Sequence, residues 1–208
     1  ARTLCYSIGL ASCSFAFSQF AQLEILAGID LSSQFGGHYQ FLTNLSLAFT
    51  FATLLASLAH TLSPSVRPLR VVKRLLATFT LPAELMVSLL YWTVLAINPS
   101  LLIPEREVAD PLNPGQFVME PVRLPWVVDL TMHAFPAIFL VVDFLFFSPP
   151  LPLSVRRLTT SWPTYSAGLA VFAYWGWESL CASKNGHYPY PLLGLMSTTQ
   201  RALFHVAC

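Results

Sequence analysis

The sequence predicts an all-α membrane protein whose single domain is a six-helix transmembrane bundle. Hydrophobic residues make up 55% of the 208-residue chain and charged residues only 10%, against roughly 25% charged residues in an average soluble domain. The mean hydropathy is +0.60. Long apolar runs recur between short polar or proline-rich segments, and a helix needs about 20 apolar residues to cross a bilayer. The chain is therefore long enough for roughly six spans.

Proline, glycine or charged residues mark the end of each apolar run. Pro82 predicts a kink in the third span, and Pro125 stands in the first turn of the fourth, as a helix start favours. Between these two spans, residues 98–123 are predicted to be a proline-rich loop. The six predicted spans cover about residues 4–26, 39–62, 75–97, 124–147, 163–181 and 190–208.

Basic residues are concentrated in two of the predicted loops, which sets the expected orientation. The positive-inside rule puts these loops and both termini in the cytoplasm. The membrane is expected to be that of the endoplasmic reticulum or the plasma membrane. The six basic residues that follow the second and fourth spans are Arg67, Arg70, Lys73, Arg74, Arg156 and Arg157.

Several classes of function are excluded by the composition. A net charge of +1 offers no basic face for nucleic acid. The four cysteines form no Cys-x-x-Cys pair, which argues against a membrane thiol oxidoreductase. The histidines give no pair at helical ligand spacing, and no cofactor motif occurs, so neither a metal nor a cofactor is expected. The partner that the composition implies is the bilayer.

A stripe of small polar residues runs along one face of the second span. The stripe consists of Thr43, Ser46, Thr50, Thr53 and Ser57, which recur at steps of three and four. Such stripes commonly pack helices together in membranes. Thr43 stands at the edge of the span, directly after Gly36–Gly37 and an aromatic segment. The pattern therefore leaves open whether Thr43 packs or acts as a nucleophile.

The fourth span carries ionisable residues on one face. Asp129, His133 and Asp143 share helical spacing with Pro136 and Leu140. Ionisable groups in a span usually face the bundle interior or a water-filled cavity. His133 is interpreted either as a structural hydrogen-bonding residue or as a general base that Asp129, one turn earlier, positions.

Acyl transfer would need more than a threonine. Its hydroxyl needs a base within hydrogen-bond reach, and His133 is the candidate. The oxyanion needs donors, and the candidates are Asn44, His38, Tyr91 and Trp92. Of these, His38, Tyr91 and Trp92 are also the predicted substrate-binding residues, and Asn44 and Asp129 are predicted to support the pair.

The segment Gly36–Thr43, Gly-Gly-His-Tyr-Gln-Phe-Leu-Thr, resembles the signature of the androgen-induced protein and androgen-dependent TFPI-regulating protein family. Pro82, the Tyr91–Trp92 pair, the ten-residue step from His133 to Asp143 and the Tyr190–Pro191 pair follow in the same order. The resemblance covers the second to sixth spans. Relatives often carry Asn where this chain has Asp129.

The resemblance implies a transmembrane threonine hydrolase. In that family a threonine and a histidine are required to cleave fatty-acid esters of hydroxy fatty acids, and they match Thr43 and His133. The expected function is hydrolysis of a bulky lipid ester by this pair. The alternative is a non-enzymatic membrane protein, either a transporter of lipids or small molecules or an interaction scaffold, in which both polar stripes are packing or a permeation path.

Overall fold

The computed structural model describes residues 1–103, 105–109, 113, 115–148 and 162–207, and it is mostly helical. Arg156 and Arg157 of the predicted fourth loop lie outside the described residues, so the predicted orientation stays a prediction. In chain order the helices and strands are α1 Arg2–Ser18, α2 Phe20–Ala27, α3 Leu42–Leu62, α4 Arg67–Ile97, β1 Glu105–Ala109, β2 Phe117–Pro121, α5 Trp126–His133, α6 Phe135–Val142, α7 Trp162–Asn185, α8 Pro191–Gly194 and α9 Thr198–Ala207.

The described part of the chain contains three helices that are long and apolar enough to cross a membrane. They are Arg2–Ala27, Leu42–Leu62 and Arg67–Ile97. The bent pair Trp126–His133 and Phe135–Phe147 raises the number to four if it forms one span. A membrane-type helical protein is thus confirmed, whereas six spans are not. The predicted last span is instead the two short helices α8 and α9.

The predicted fourth span is broken next to His133. The helix bends by 43° between α5 and α6, and Ala134 at the break has φ −126° and ψ −52°. Pro136, two residues later, has no N–H and its ring clashes with the carbonyl four residues before it. His133 therefore occupies the last position of α5, at a place where the backbone departs from regular helix.

The polar stripe of α3 packs against α4, as the sequence predicts for its inner members. The Thr50 hydroxyl donates to Glu84 Oε1 at 2.8 Å. The Thr53 and Thr80 hydroxyls are 3.1 Å apart. Next to this stripe, apolar residues of α1, α3 and α5 form a buried core: Tyr6, Cys13, Ala16, Leu47, Leu54, Val128 and Met132. The helix α3 thus packs against α4 through polar contacts and against α1 and α5 through apolar ones.

The predicted loop between the third and fourth spans contains a β-hairpin. Strand β1 pairs antiparallel with β2, with Glu105 opposite Pro121 and Val108 opposite Val118. The sequence did not predict these strands, because the segment is rich in prolines and acidic residues and neither residue type favours a strand. Most of the hairpin side chains are exposed.

The basic cluster after the second span lies on a helix and not in a loop. Helix α4 begins at Arg67, so all four basic residues belong to its first turns. Lys73 is buried there and its Nζ lies 2.7 Å from Asp143 Oδ1. The Tyr6 hydroxyl also donates to Asp143. This cluster joins α1, α4 and the end of α6.

Candidate functional site

The glycine pair before α3 brings the chain close to α7. Gly36 has φ +85° and Gly37 has φ +50°, both in the left-handed region that favours glycine. A Cβ on Gly36 would stand 2.7 Å from Cys181 Sγ, so a side chain at this position has no room. A short 3₁₀ turn, Gly37–Gln40, follows and leads into α3.

Hydrogen bonds from α7 fix the same lead-in. The Asn185 side chain accepts from the Phe35 amide at 2.9 Å and donates to the Phe35 carbonyl at 3.0 Å. Trp177 Nε1 donates to the Tyr39 carbonyl at 2.8 Å. The backbone that presents Thr43 is therefore held against α7 by bonds to the main chain, which do not depend on the side chains of the lead-in.

Thr43 lies in the first turn of α3 and its side chain is buried. The Tyr190 hydroxyl, just before α8, accepts from the Leu42 amide at 3.1 Å. It also interacts with the Thr43 hydroxyl and amide. The first amides of a helix have no partner within the helix, so Tyr190 satisfies one of them and stands beside the candidate nucleophile.

Thr43 lines a partly open apolar cavity of about 200 Å³. One long wall is formed by α4: Phe79, Pro82, Ala83, Met86, Val87, Leu90 and Tyr91. Residues of α7, α8 and α9 close the other sides. The polar residues in the lining are Thr43, Tyr91, Tyr174, Glu178, Tyr190 and His205. Such a lining, mostly apolar with a few polar groups, is typical of sites for small apolar molecules.

The His133 ring is oriented as a general base would be. Its Nδ1 lies 2.9 Å from Asp129 Oδ1 and 3.2 Å from the Asp129 carbonyl. Both side chains are buried. Two acceptors at Nδ1 favour a proton on that nitrogen, which leaves Nε2 with a free lone pair. None of the described residues forms a hydrogen bond with Nε2.

Tyr91 connects the two predicted catalytic residues, because it contacts His133 and lines the same cavity as Thr43. Its ring stacks on His133 with the centroids 3.5 Å apart, and it lines the cavity with Thr43. His133 is not part of the described lining, and no hydrogen bond joins Thr43 to His133. The structure thus brings Thr43 and Tyr91 together at the cavity and places His133 directly behind Tyr91.

The other predicted supporting residues lie away from the described cavity lining. Asn44 is buried and its Nδ2 donates to the His38 carbonyl at 2.8 Å. His38 Nε2 lies 3.0 Å from Glu24 Oε1, and the ring stacks on Phe20. Trp92 stacks on Trp126. These three side chains support the structure around the site and do not meet Thr43 at the cavity.

A second histidine–carboxylate pair escaped the sequence reasoning. Glu178 of α7 and His205 of α9 both line the Thr43 cavity, with His205 Nε2 3.1 Å from Glu178 Oε2. The available signal was Glu178 itself, an acidic residue within an apolar run and one helical turn after Tyr174. Its partner is 27 residues away, so no local spacing relates the two.

The comparisons with known proteins agree with the sequence resemblance. A family model described as FAR-17a/AIG1-like protein matches residues 1–208. A UPF0641 membrane protein of Schizosaccharomyces pombe is 30% identical over 178 residues, which cover 85% of this chain and 71% of that protein. No solved structure matches the chain. The family predicted from the sequence is thereby confirmed: this chain belongs to the FAR-17a/AIG1-like family of membrane proteins.

Proposed function

We propose that this chain is an integral-membrane hydrolase that cleaves fatty-acid esters of hydroxy fatty acids, with Thr43 as nucleophile and His133 as general base. The observation that carries the proposal is the orientation of His133. Asp129 holds its Nδ1, no described residue forms a hydrogen bond with Nε2, and the ring lies against Tyr91, which lines the same cavity as Thr43. A carboxylate, an imidazole and a hydroxyl are the parts of an acyl-transfer site.

The reaction would proceed in two steps. Thr43 Oγ1 attacks the ester carbonyl while His133 Nε2 takes the hydroxyl proton, and His133 then gives this proton to the departing alkoxide oxygen. Water next attacks the acyl-threonine, His133 takes its proton, and the proton returns to Thr43 Oγ1 as the fatty acid leaves. Asp129 stabilises the imidazolium in both steps. Side chains and water suffice, so the proposal includes no cofactor.

The proposed dyad needs its two members to approach each other when substrate binds. Thr43 and His133 share no hydrogen bond in the structure, and Tyr91 covers one face of the histidine ring. Catalytic hydrogen bonds in free enzymes are often long and shorten in the reactive complex. The backbone break after His133 supports this requirement, because a residue at a helix end moves at lower cost than one within a continuous helix.

The cavity supports a lipid as the substrate. Apolar side chains of α4 form one long wall, and the cavity is partly open. Acyl chains contribute binding free energy when they leave water for such a surface. The family resemblance supplies the substrate class, an ester whose alcohol is itself a hydroxy fatty acid.

The decisive experiment measures hydrolysis of such an ester by the purified full chain and by Thr43→Ala, Thr43→Ser and His133→Ala. We expect the two alanine variants to lose at least about 10³-fold in kcat, since each removes a reacting group. Thr43→Ser keeps a hydroxyl and retains activity. A fluorophosphonate probe should label the unsubstituted chain at Thr43.

Matched controls separate chemistry from folding. Thr61→Ala removes a hydroxyl that bonds only to its own helix, at the Ser57 carbonyl. His187→Ala removes an exposed histidine. Both should keep full activity and the elution profile of the unsubstituted protein. Undiminished turnover by a folded Thr43→Ala or His133→Ala protein would overturn the proposal in favour of a non-enzymatic role.

A further inference from the structure

The Glu178–His205 pair is buried in the wall of the Thr43 cavity. Glu178 is 0% and His205 7% exposed. His205 Nδ1 lies 2.7 Å from the Arg201 carbonyl, four residues earlier on α9, and Nε2 lies 3.1 Å from Glu178 Oε2. Both ring nitrogens are therefore occupied. His205 has no lone pair or proton left for Thr43, so the pair does not repeat the Asp129–His133 arrangement.

Glu178 Oε1 is the open atom of this pair. It is fully buried, and no described residue donates a hydrogen bond to it. A buried polar atom without a partner is costly and calls for an explanation, such as a ligand that supplies the missing hydrogen bond. Because Glu178 lines the cavity, the missing partner has room to approach from inside it.

The two contacts of His205 determine what Oε1 can bind. The Arg201 carbonyl requires a proton on Nδ1. If Nε2 is also protonated, the pair is an imidazolium and a carboxylate, and Oε1 is a carboxylate oxygen. If Nε2 is unprotonated, Oε2 carries the proton and Oε1 is a carbonyl oxygen. In both states Oε1 accepts and the pair has no net charge. The site therefore needs a hydrogen-bond donor and has no net positive charge that would attract an anion.

The nearby tyrosines do not fill this role. The Tyr174 hydroxyl, one turn before Glu178 on α7, donates to the Gln40 carbonyl at 3.2 Å. The Tyr190 hydroxyl accepts from the Leu42 amide. The Tyr174 proton is therefore used at the backbone that leads into α3. The Tyr190 hydroxyl still has a proton to donate, but neither tyrosine forms a hydrogen bond with Glu178 Oε1, which stays without a donor among the described residues.

We propose that Glu178, held by His205, is a binding site for an O–H group of a long-chain lipid, either a hydroxyl or an uncharged carboxyl, in the cavity that Thr43 lines. The site would anchor one end of the lipid while apolar side chains of α4 hold its chain. The identification of the ligand as a lipid rests on the proposed function. Under that function, the anchored group is the free carboxyl of the hydroxy fatty acid, and the ester carbonyl lies at Thr43.

Binding, and not turnover, tests this inference. The full-length Thr43→Ala protein in detergent is loaded with tritiated hexadecanol or tritiated palmitic acid. Displacement by hexadecanol is compared with that by hexadecyl methyl ether, and displacement by palmitic acid with that by methyl palmitate. At a pH that keeps the acid protonated, each capped lipid differs from its free form in that a methyl group replaces the O–H hydrogen. We expect at least one free lipid to compete roughly tenfold better than its capped form, the effect of one buried hydrogen bond to an acidic residue.

The two pairs identify the source of the O–H group. A preference confined to hexadecanol assigns the site to a hydroxyl, and one confined to palmitic acid assigns it to a carboxyl. Equal competition by free and capped lipids in both pairs would overturn the inference and leave the Glu178–His205 contact as a bond between α7 and α9. These comparisons use the native Glu178 and need no further variant.

Two substitutions then locate the preference. Glu178→Gln keeps an acceptor, because the amide N–H donates to the unprotonated Nε2 of His205 and the amide oxygen takes the place of Oε1. Glu178→Leu removes the acceptor. We expect the first variant to keep most of the preference and the second to lose it. An undiminished preference in folded Glu178→Leu protein would also overturn the inference. Because these are binding readouts, residual hydrolysis by Thr43→Ala would contradict the proposed function alone.

Discussion

The His133 imidazole lies flat on the Tyr91 ring, with centroids 3.5 Å apart and planes 1° from parallel. This contact links α5, which carries the candidate base, to α4, which forms the main wall of the Thr43 cavity. It fixes one face of the histidine ring, while Asp129 fixes the ring edge at Nδ1. These two contacts set the orientation of the ring relative to α4 and α5, and Tyr91 is the residue through which His133 meets the cavity.

The Tyr91 hydroxyl offers a test of its own. It is buried and has no hydrogen-bond partner of acceptable geometry among the described residues, with Asp129 as its charged neighbour. We expect Tyr91→Phe, which keeps the stacked ring, to lower kcat by about 10²-fold with little change in KM, as loss of an oxyanion donor does. Tyr39→Phe, at an exposed position, is the matched control. A kcat within twofold of the native value in Tyr91→Phe would rule out the oxyanion role.

Asp129 should contribute by orienting and stabilising His133. Asp129→Leu removes the carboxylate acceptor and leaves only the backbone carbonyl of residue 129 at His133 Nδ1, so we expect kcat to fall by about 10²-fold. Asp129→Asn keeps a neutral acceptor, and a neutral hydrogen bond is roughly half as strong as a charge-assisted one, so the fall should be about tenfold. Steady-state kinetics on an ester substrate measures both.

A substitution far from the site is the control for the two Asp129 variants. Glu107→Gln removes a carboxylate from the exposed face of the hairpin and should leave kcat unchanged. If Asp129→Leu and Asp129→Asn are equally active, or both match the native protein, Asp129 does not position the base.

The parts of the site that follow from one helix could be read from the sequence. The spacing of Asp129 and His133 places them one turn apart, and the structure shows the expected contact between them. The stripe from Thr43 to Ser57 faces its neighbours because helical geometry alone puts these residues on one face. The Gly36–Gly37 pair likewise predicts a turn, because glycine adopts the left-handed backbone conformation without steric cost.

The parts that depend on contacts between distant segments could not be read in this way. The pairing of Glu178 with His205 requires α7 and α9 to pack together, and the role of Tyr190 requires its loop to reach the start of α3. Pro136 indicated a perturbed helix, but whether a proline gives a mild kink or a break depends on what neighbouring helices supply to the freed backbone. Sequence patterns do not contain these distances.

Gly36 should be among the least replaceable residues of the lead-in. Gly36→Ala combines a left-handed backbone with a Cβ 2.7 Å from Cys181 Sγ, so we expect a loss of about 2–5 kcal/mol in the free energy of unfolding. Gly28→Ala is the matched control, since Gly28 also has positive φ but a Cβ there meets nothing within 4 Å. Its cost should be about 1 kcal/mol.

Equilibrium unfolding of the two glycine variants in detergent micelles gives the comparison directly. The difference between them isolates the contact with α7 from the backbone term. Equal destabilisation of Gly36→Ala and Gly28→Ala would mean that α7 yields to the added methyl group without cost, and that the close approach does not hold Thr43 in place.

The buried ion pair at the other end of the bundle provides the last prediction. Asp143 receives Lys73 Nζ at 2.7 Å, the Tyr6 hydroxyl and, at 3.2 Å, the Ser148 hydroxyl. Breaking a buried pair leaves one charge without a partner, which costs about 3–5 kcal/mol, whereas replacing both partners by apolar residues costs far less. A double-substitution experiment therefore distinguishes the pair from its individual members.

We expect Lys73→Met and Asp143→Leu each to lower the free energy of unfolding by about 3–5 kcal/mol, and the double variant to recover most of the loss. Arg67→Met, which removes an exposed charge from the same helix, should cost less than about 1 kcal/mol. Unfolding in detergent measures all four. Additive losses in the double variant would show that Lys73 and Asp143 act independently, and that α1, α4 and α6 are held together by packing instead of by this pair.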